Sequence, residues 1–408
     1  MLRFILADLR RGWPGALAIA LIVACATALG LVVTLQERAL RLGSARAANA
    51  FDLVIGAPGS ETQLVLSSVF LQPAPLPLMP GSVLAGLIDD PRVAWAAPVG
   101  FGDQYEGRPV VGTSQALVDG LGGLASGATF ARLGDAVVGA DVPLDPGATF
   151  HPVHAELASE GEVHQETTYT VTGRLARTGS PWDRAILVPI EAVWRTHGLD
   201  AGEGEHDHEH DHAALDAGAP IRPEALADPG APGLPAIVVR GHAIADAYNL
   251  RQDYRAEQTI AVFPAEVLTR LYGTLGDARA VVGAIALAAQ ALVAAAILLV
   301  AVIHVVQRHR QIGALRAFGA ARSAVFAIVW IEVVALAAAG IAAGIVLGYV
   351  AARLIAARLT AASGLAFPVE FGPGDATLFL GLLLAAGICA LIPAAIAYRQ
   401  SPAAALRG

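Results

Sequence analysis

Pro14-Gly-Ala-Leu-Ala-Ile-Ala-Leu-Ile-Val-Ala-Cys-Ala-Thr-Ala-Leu-Gly-Leu-Val-Val-Thr-Leu35 contains no charged residue. A helix needs about 20 mostly apolar residues to cross the hydrocarbon core of a bilayer, and this stretch supplies them. Three more stretches meet the same requirement. Residues 280–306 are interrupted only by Gln290 and His304, residues 324–352 carry one charge, Glu332, and residues 376–398 contain Pro393. The composition agrees. Of the 408 residues 55% are hydrophobic and 15% charged, where soluble domains average about a quarter charged. The sequence therefore predicts an α-helical membrane protein with four transmembrane helices in a one-plus-three layout. A large mixed α/β extracytoplasmic domain fills the interval between helices one and two. Residues 14–35 are too long for a signal h-region, and the small residues Ala48-Asn49-Ala50 lie well beyond their end, so the expectation is a retained anchor.

Arginine placement sets the orientation. Arg3, Arg10 and Arg11 lie in 1–13, Arg308, Arg310, Arg316 and Arg322 crowd 307–323, and Arg399 and Arg407 lie in 399–408. These three regions read as cytoplasmic, both termini included. Residues 36–279 and the link 353–375 are then external. A net charge of −8 argues against a nucleic-acid partner. Cys25 and Cys389 sit in apolar runs and do not suggest a disulfide framework.

Within 36–279 the β-rich Thr168-Tyr-Thr-Val-Thr-Gly173 alternates, and Ala185–Pro189 and Ala236–Arg240 read as short buried strands. Val83–Ile88, Ile190–Thr196 and Ala243–Tyr248 read as helices. Two amphipathic stretches flank the domain, Leu35–Ala50 continuing helix one and Pro264–Leu275 leading into helix two; they predict a stalk of two helices side by side, the alternative being the first and last helices of the domain. Residues 201–235, rich in Gly, Ala, Pro and acids, read as a mobile loop. Neither a Ser-His-Asp spacing nor a phosphate loop is recognisable; Gly120-Leu-Gly-Gly123 lacks the lysine and the context. No catalytic residue is assigned.

The link between helices two and three reads Gln307-Arg-His-Arg-Gln-Ile-Gly-Ala-Leu-Arg-Ala-Phe-Gly-Ala-Ala-Arg322. It resembles the signature of the MacB/FtsX/LolC class of ABC permeases, a basic run followed by Glu-Ile-Gly-x-Leu-Arg-Ala-x-Gly. Ile312, Gly313, Leu315, Arg316, Ala317 and Gly319 match, while Gln311 stands where the class has glutamate. The ending Ile392-Pro-Ala-Ala-Ile-Ala-Tyr-Arg-Gln-Ser-Pro402 is similar to that of the same class, as are Phe51-Asp-Leu-Val-Ile-Gly-Ala57 and Thr178-Gly-Ser-Pro-Trp-Asp-Arg-Ala-Ile186.

The residues themselves fit such a role. Ile312, Leu315 and Phe318 fall near one helical face suited to a groove on a soluble partner, and Gly313 and Gly319 permit close approach or a bend. Arg308, Arg310 and Arg316 suit acids on that partner or lipid headgroups. The sequence holds no Walker motif, so it predicts a membrane subunit without its own ATPase. The resemblance implies a cytoplasmic ABC ATPase as the site of ATP hydrolysis, and a second permease copy, most simply a homodimer. It also implies a bacterial inner-membrane location, mechanotransmission, and a periplasmic or outer-membrane partner. Gly340, Gly344 and Gly348 recur every four residues in 324–352 and predict close helix packing.

Glu203-Gly-Glu-His-Asp-His-Glu-His-Asp-His212 places His206, His208, His210 and His212 at alternate positions among acids. Imidazole with carboxylate suits Zn²⁺, bound loosely by such a tract; a solvated acidic loop is the bland alternative. His151, His154, His164 and His197 are further candidates. The functional expectation is export, or lipoprotein or peptide handling, with a link to zinc. Two alternatives stand beside it, an FtsX-like transducer that activates a periplasmic partner and a direct metal importer. The helices offer few ligands for the importer.

Overall fold

The computed structural model describes residues 13–72, 74–154, 167–199, 215–273 and 319–399, with positions 10, 284, 291 and 295. The chain divides into two units. One comprises Met1–Leu40, Leu275–Arg358 and Phe367–Gly408, the other Arg41–Thr274 and Leu359–Ala366.

Among the described residues three helices are long and apolar enough to cross a membrane: Trp13–Ala48, Arg322–Ser363 and Asp375–Arg399. Helix α1 (Trp13–Ala48) has Pro14 in its first turn, where the missing N–H costs nothing. It has 36 residues and the helix Arg322–Ser363 has 42. At the usual rise these span about 54 and about 63 Å, against a hydrocarbon core of about 30 Å. Leu35 and Ala352 therefore mark where apolar sequence ends, not where helix ends. The residues that follow are rich in Ala, Leu and Arg, strong helix formers. The link expected over 353–375 is corrected accordingly: it is helical to Ser363 and stops at Gly364, whose φ of +73° makes a left-handed cap. The span over 376–398 is two helices, Asp375–Cys389 and Leu391–Arg399. Pro393 explains the break, since its ring and missing N–H act on the carbonyl four residues earlier, at Cys389. The run 280–306 is described only at positions 284, 291 and 295, all helical.

The second unit is an α/β domain whose strands form one 11-stranded sheet among the described residues, with the principal order β11-β1-β10-β2-β3-β9-β5-β8-β4. In chain order these are β1 (Leu53–Gly56), β2 (Val93–Tyr105), β3 (Arg108–Thr113), β4 (Leu124–Gly127), β5 (Asp135–Val138), β6 (Thr149–Phe150), β7 (Val153–His154), β8 (Tyr169–Leu175), β9 (Ile186–Pro189), β10 (Ala236–Gly241) and β11 (Ile260–Val262). The off-path strands β6 and β7 pair with β8 and β2.

Strands β1 and β9 are apolar and buried at every position, and β10 over Ala236–Val239, because both faces of the sheet are covered there. Leu53, Ile55, Ile186, Val188, Ile237 and Val239 enter one core, while Val54, Leu187 and Val238 enter the other. Helices α3 (Ser82–Ile88), α5 (Ile190–Thr196) and α6 (Ile244–Asp253) supply Leu84, Leu87, Ile190, Trp194 and Leu250 to the first core. Helices α2 (Glu61–Ser68) and α4 (Gln115–Gly120) supply Leu64, Val65, Leu117 and Val118 to the second, joined by Val267 from α7 (residues 264–273).

The mobile loop expected over 201–235 is, in its described part, irregular chain that is anchored. Residues 215–235 pack on the domain through buried Leu215 and Leu234, a 3-10 turn at Pro223–Ala227, and bridges Arg132↔Pro220 and Met79↔Leu234. Composition suggested a loop, but spaced Leu, Ile and Ala residues anchor it.

Candidate functional site

The three glycines of α8 (Arg322–Ser363) face α1. A Cβ at Gly340 would stand 2.6 Å from Val23 Cβ and 2.8 Å from the Ala20 carbonyl. At Gly344 it would stand 2.6 Å from the Ala24 carbonyl and from Thr27 Cβ, and at Gly348 2.9 Å from the Ala28 carbonyl. Residue numbers rise together on both helices, so α1 and α8 run parallel. Small residues on both sides let the backbones approach, as close packing in lipid requires. Against α9 (Asp375–Cys389) and α10 (Leu391–Arg399), α8 runs antiparallel. Trp330 Nε1 donates to the Gly387 carbonyl at 2.9 Å, and Val325 and Val329 pack with Ala394 and Ala397.

A polar clamp closes this unit. Arg38 is bidentate to Asp375, with Nη1 to Oδ2 at 2.7 Å and Nη2 to Oδ1 at 2.9 Å. Its Nη1 also donates to the Glu370 carbonyl at 2.9 Å, and Gly372 N donates to Asp375 Oδ2 at 2.7 Å. Gln36 Nε2 donates to the Ala352 carbonyl at 2.7 Å. Asp375 is 6% exposed, so its charge needs this pairing. Sequence reasoning gave these residues no role. The available signal was a charge of each sign just beyond the end of an apolar run.

Of the residues assigned to ATPase coupling, Arg308, Arg310, Gln311, Ile312, Gly313, Leu315, Arg316 and Phe318 lie outside the described residues. Gly319 lies in a turn before α8 with φ +93°, a conformation that favours glycine. Glu332 is buried within α8 at 8% exposure; Gln290 and His304 lie outside the described residues.

His164, His206, His208, His210 and His212 also lie outside the described residues. His197 Nε2 is 3.6 Å from buried Asp103 Oδ2. His154 is the register partner of Asp103 between β7 and β2, and His151 Nδ1 is 3.1 Å from the Thr167 carbonyl. No three metal-ligating side chains converge among the described residues. A cavity of about 1010 Å³ opens beside α5 and the Pro223–Ala227 turn, lined by Glu191, Trp194, Arg195, Arg222, Glu224 and Asp228 among others. Glu191 Oε1 accepts from Arg222 N at 2.8 Å.

The stalk stretches meet in the α/β unit, where the hydroxyls of Ser44 in α1 and Tyr272 in α7 share a hydrogen bond. Nearby Glu61 binds Arg255 at 2.5 Å and also Arg270. Burial pushes the Glu61 carboxyl up, but the two guanidinium groups outweigh it and hold the pKa below its ordinary value.

Residues 283–403 match the family described as FtsX-like permease C-terminal. No curated protein matches. Among solved structures, the extracellular domain of the noncanonic ABC-type transporter YknZ from Gram-positive bacteria is similar at 10% identity and a TM-score of 0.29, over 52% of this chain and 98% of that one.

Proposed function

We propose that this chain is the permease subunit of a bacterial ABC transporter of the MacB/LolC type. A separate cytoplasmic ATPase docks on residues 307–323, and its hydrolysis of ATP drives conformational work by the α/β domain in the periplasm. The observation that carries the reading is the FtsX-like permease match over 283–403, which runs through the Ile312-Gly313-x-Leu315-Arg316 link.

The helix directions support the four-span layout. Parallel α1 and α8 have their N-termini on one side of a membrane. The chain between them must then cross back an odd number of times, and residues 280–306 supply the apolar run to do so. Antiparallel α9 and α10 return to the side of residues 307–323. The arginines of that side support a cytoplasmic placement, and the proposed class implies a bacterial inner membrane. A homodimer fits a chain that has one docking segment where two ATPases must act. The zinc link rests on His206, His208, His210 and His212, whose alternation with acids suits loose Zn²⁺ capture at the surface.

The test is co-purification with the ATPase and its activity in the complex. Leu315→Asp and Gly313→Trp are expected to abolish assembly. Wild-type assembly and activity in both variants would refute docking on 307–323.

A further inference from the structure

Residues Thr178–Arg184 of the α/β unit are folded around one carboxylate. Asp183, 1% exposed, accepts from Thr178 N at 2.7 Å, Thr178 Oγ1 at 2.8 Å and Gly179 N at 2.8 Å. Trp182 is fully buried beside it, and Pro181–Arg184 is a 3-10 turn that leads through Ala185 into β9. Strand β9 lies between β3 and β5. The loop is thus stiff, and it is continuous with the interior of the sheet.

The last turn of α8 and the residues after it rest on this loop within the same unit. Arg184 Nη1 donates to the Ala362 carbonyl, and Ala366 N donates to the Gly179 carbonyl at 3.0 Å. Ala362 carries one of the last four carbonyls of α8, which have no partner within the helix. A guanidinium there meets both that carbonyl and the negative end of the helix dipole. The packing is tight at Gly364 and Gly43 and in ordinary contact at Gly179. A Cβ at Gly364 would stand 3.0 Å from Arg184 Cγ and Cδ and 3.3 Å from Pro181 Cα. A Cβ at Gly179, where φ is +69°, would stand 3.4 Å from Ala366 Cβ, and one at Gly43 of α1 would strike the Ala366 carbonyl. Three chain segments converge here, and the two hydrogen bonds bracket Gly364 from opposite directions. They fix both the position and the orientation of the helix end.

We propose that this junction is a permanent clasp, in which Arg184 and the Gly179 carbonyl hold the end of α8 so that its displacement is delivered through the 178–184 loop to β9. Arg184 is a positioning residue. The direction of work rests on the ABC-permease reading; the clasp itself does not.

The experiment uses the full chain with its ATPase, with Cys25 and Cys389 replaced by alanine, and has three arms. Hydrogen exchange without nucleotide reads the clasp alone. Arg184→Ala and Gly364→Val are expected to speed exchange in peptides covering 359–366 by about tenfold, roughly the factor one hydrogen bond contributes. Arg184→Lys, which keeps a cation within reach of the carbonyl, is expected to restore part of the protection. A fluorescent label at Ile244→Cys, 80% exposed, reads the domain. Its ATP-dependent change is expected to vanish in Arg184→Ala while ATP hydrolysis continues. Gly179→Cys with Ala366→Cys places Cβ atoms near bridging distance, and the oxidised protein is expected to keep the ATP response. Unchanged exchange in both Arg184→Ala and Gly364→Val would overturn the clasp. So would a bridged protein that loses the response and regains it on reduction, since the junction would then open during the cycle. Absence of any ATPase association in the wild type would sink the permease reading, and the exchange arm would still decide the clasp.

Discussion

Gly344→Ala sets two effects of known sign against each other. Alanine is a better helix former than glycine by about 1 kcal/mol, so on propensity alone the variant gains stability. Its Cβ, however, would lie 2.6 Å from the Ala24 carbonyl and from Thr27 Cβ, well inside the ordinary contact of about 3.5 Å or more between carbons. Relief requires α1 and α8 to separate, and the separation loosens contacts along the whole interface from Ala20 to Leu31. Overpacking of this kind costs about 1–3 kcal/mol, so packing is expected to win or draw for alanine and to win clearly for leucine. Thermal unfolding of the detergent-solubilised chain measures it, with Gly344→Leu expected to lower the midpoint by roughly 2–10 °C. Ala342 is exposed on the opposite side of α8, and Ala342→Leu is the control, expected to be near neutral. The distances also predict an order: Gly340 and Gly344 are expected to be more sensitive to alanine than Gly348, whose nearest atom would be at 2.9 Å. A Gly344→Leu variant as stable as Ala342→Leu would refute the reasoning, because the interface would then not be close-packed at this point.

Three further outcomes are expected. Arg38→Ala or Asp375→Asn removes a bidentate pair at 2.7 and 2.9 Å and should cost about 1–3 kcal/mol; in a double-mutant cycle by thermal unfolding the two losses should fall well short of adding. The lowered pKa of Glu61 means that its contribution to stability is present above the ordinary value of 4.5 and is lost as pH falls through the depressed folded value. Glu61→Gln should therefore lower the unfolding midpoint at neutral pH and flatten its acid dependence below about pH 4.5, whereas an unchanged acid limb would discount the Arg255–Glu61–Arg270 group. Zinc titration of the full chain should lose its site when residues 203–212 are deleted. In the intact chain, binding should weaken as pH falls through about 6.5, where imidazole protonates. Equal affinity with and without 203–212 would remove the run as a site.

The sequence by itself determined where apolar helix had to be, because the number of consecutive residues that can enter lipid is a local count. It also located the β8, β9 and β10 strands and the α5 helix, since their residue types alternate or run apolar over short windows. The amphipathic stretch Leu35–Ala50 also gave the continuation of α1, which ends at Ala48, but the sequence did not determine where α8 ends. Its continuation is polar enough to leave the membrane yet rich enough in helix formers to stay helical, so composition and backbone part ways at Ala352. The glycine repeat at 340, 344 and 348 announced a close-packed face, but a repeat on one helix carries no record of its partner. Only the tertiary structure paired it with Ala20, Ala24 and Ala28 in a parallel direction. The same holds for Arg38 with Asp375, 337 residues apart, and for Arg184 with the Ala362 carbonyl, 178 apart. In each pair one group completes a charge or a carbonyl that is unsatisfied within its own segment. Which distant segment completes it is decided by how the helices and the sheet pack, and no local pattern encodes that.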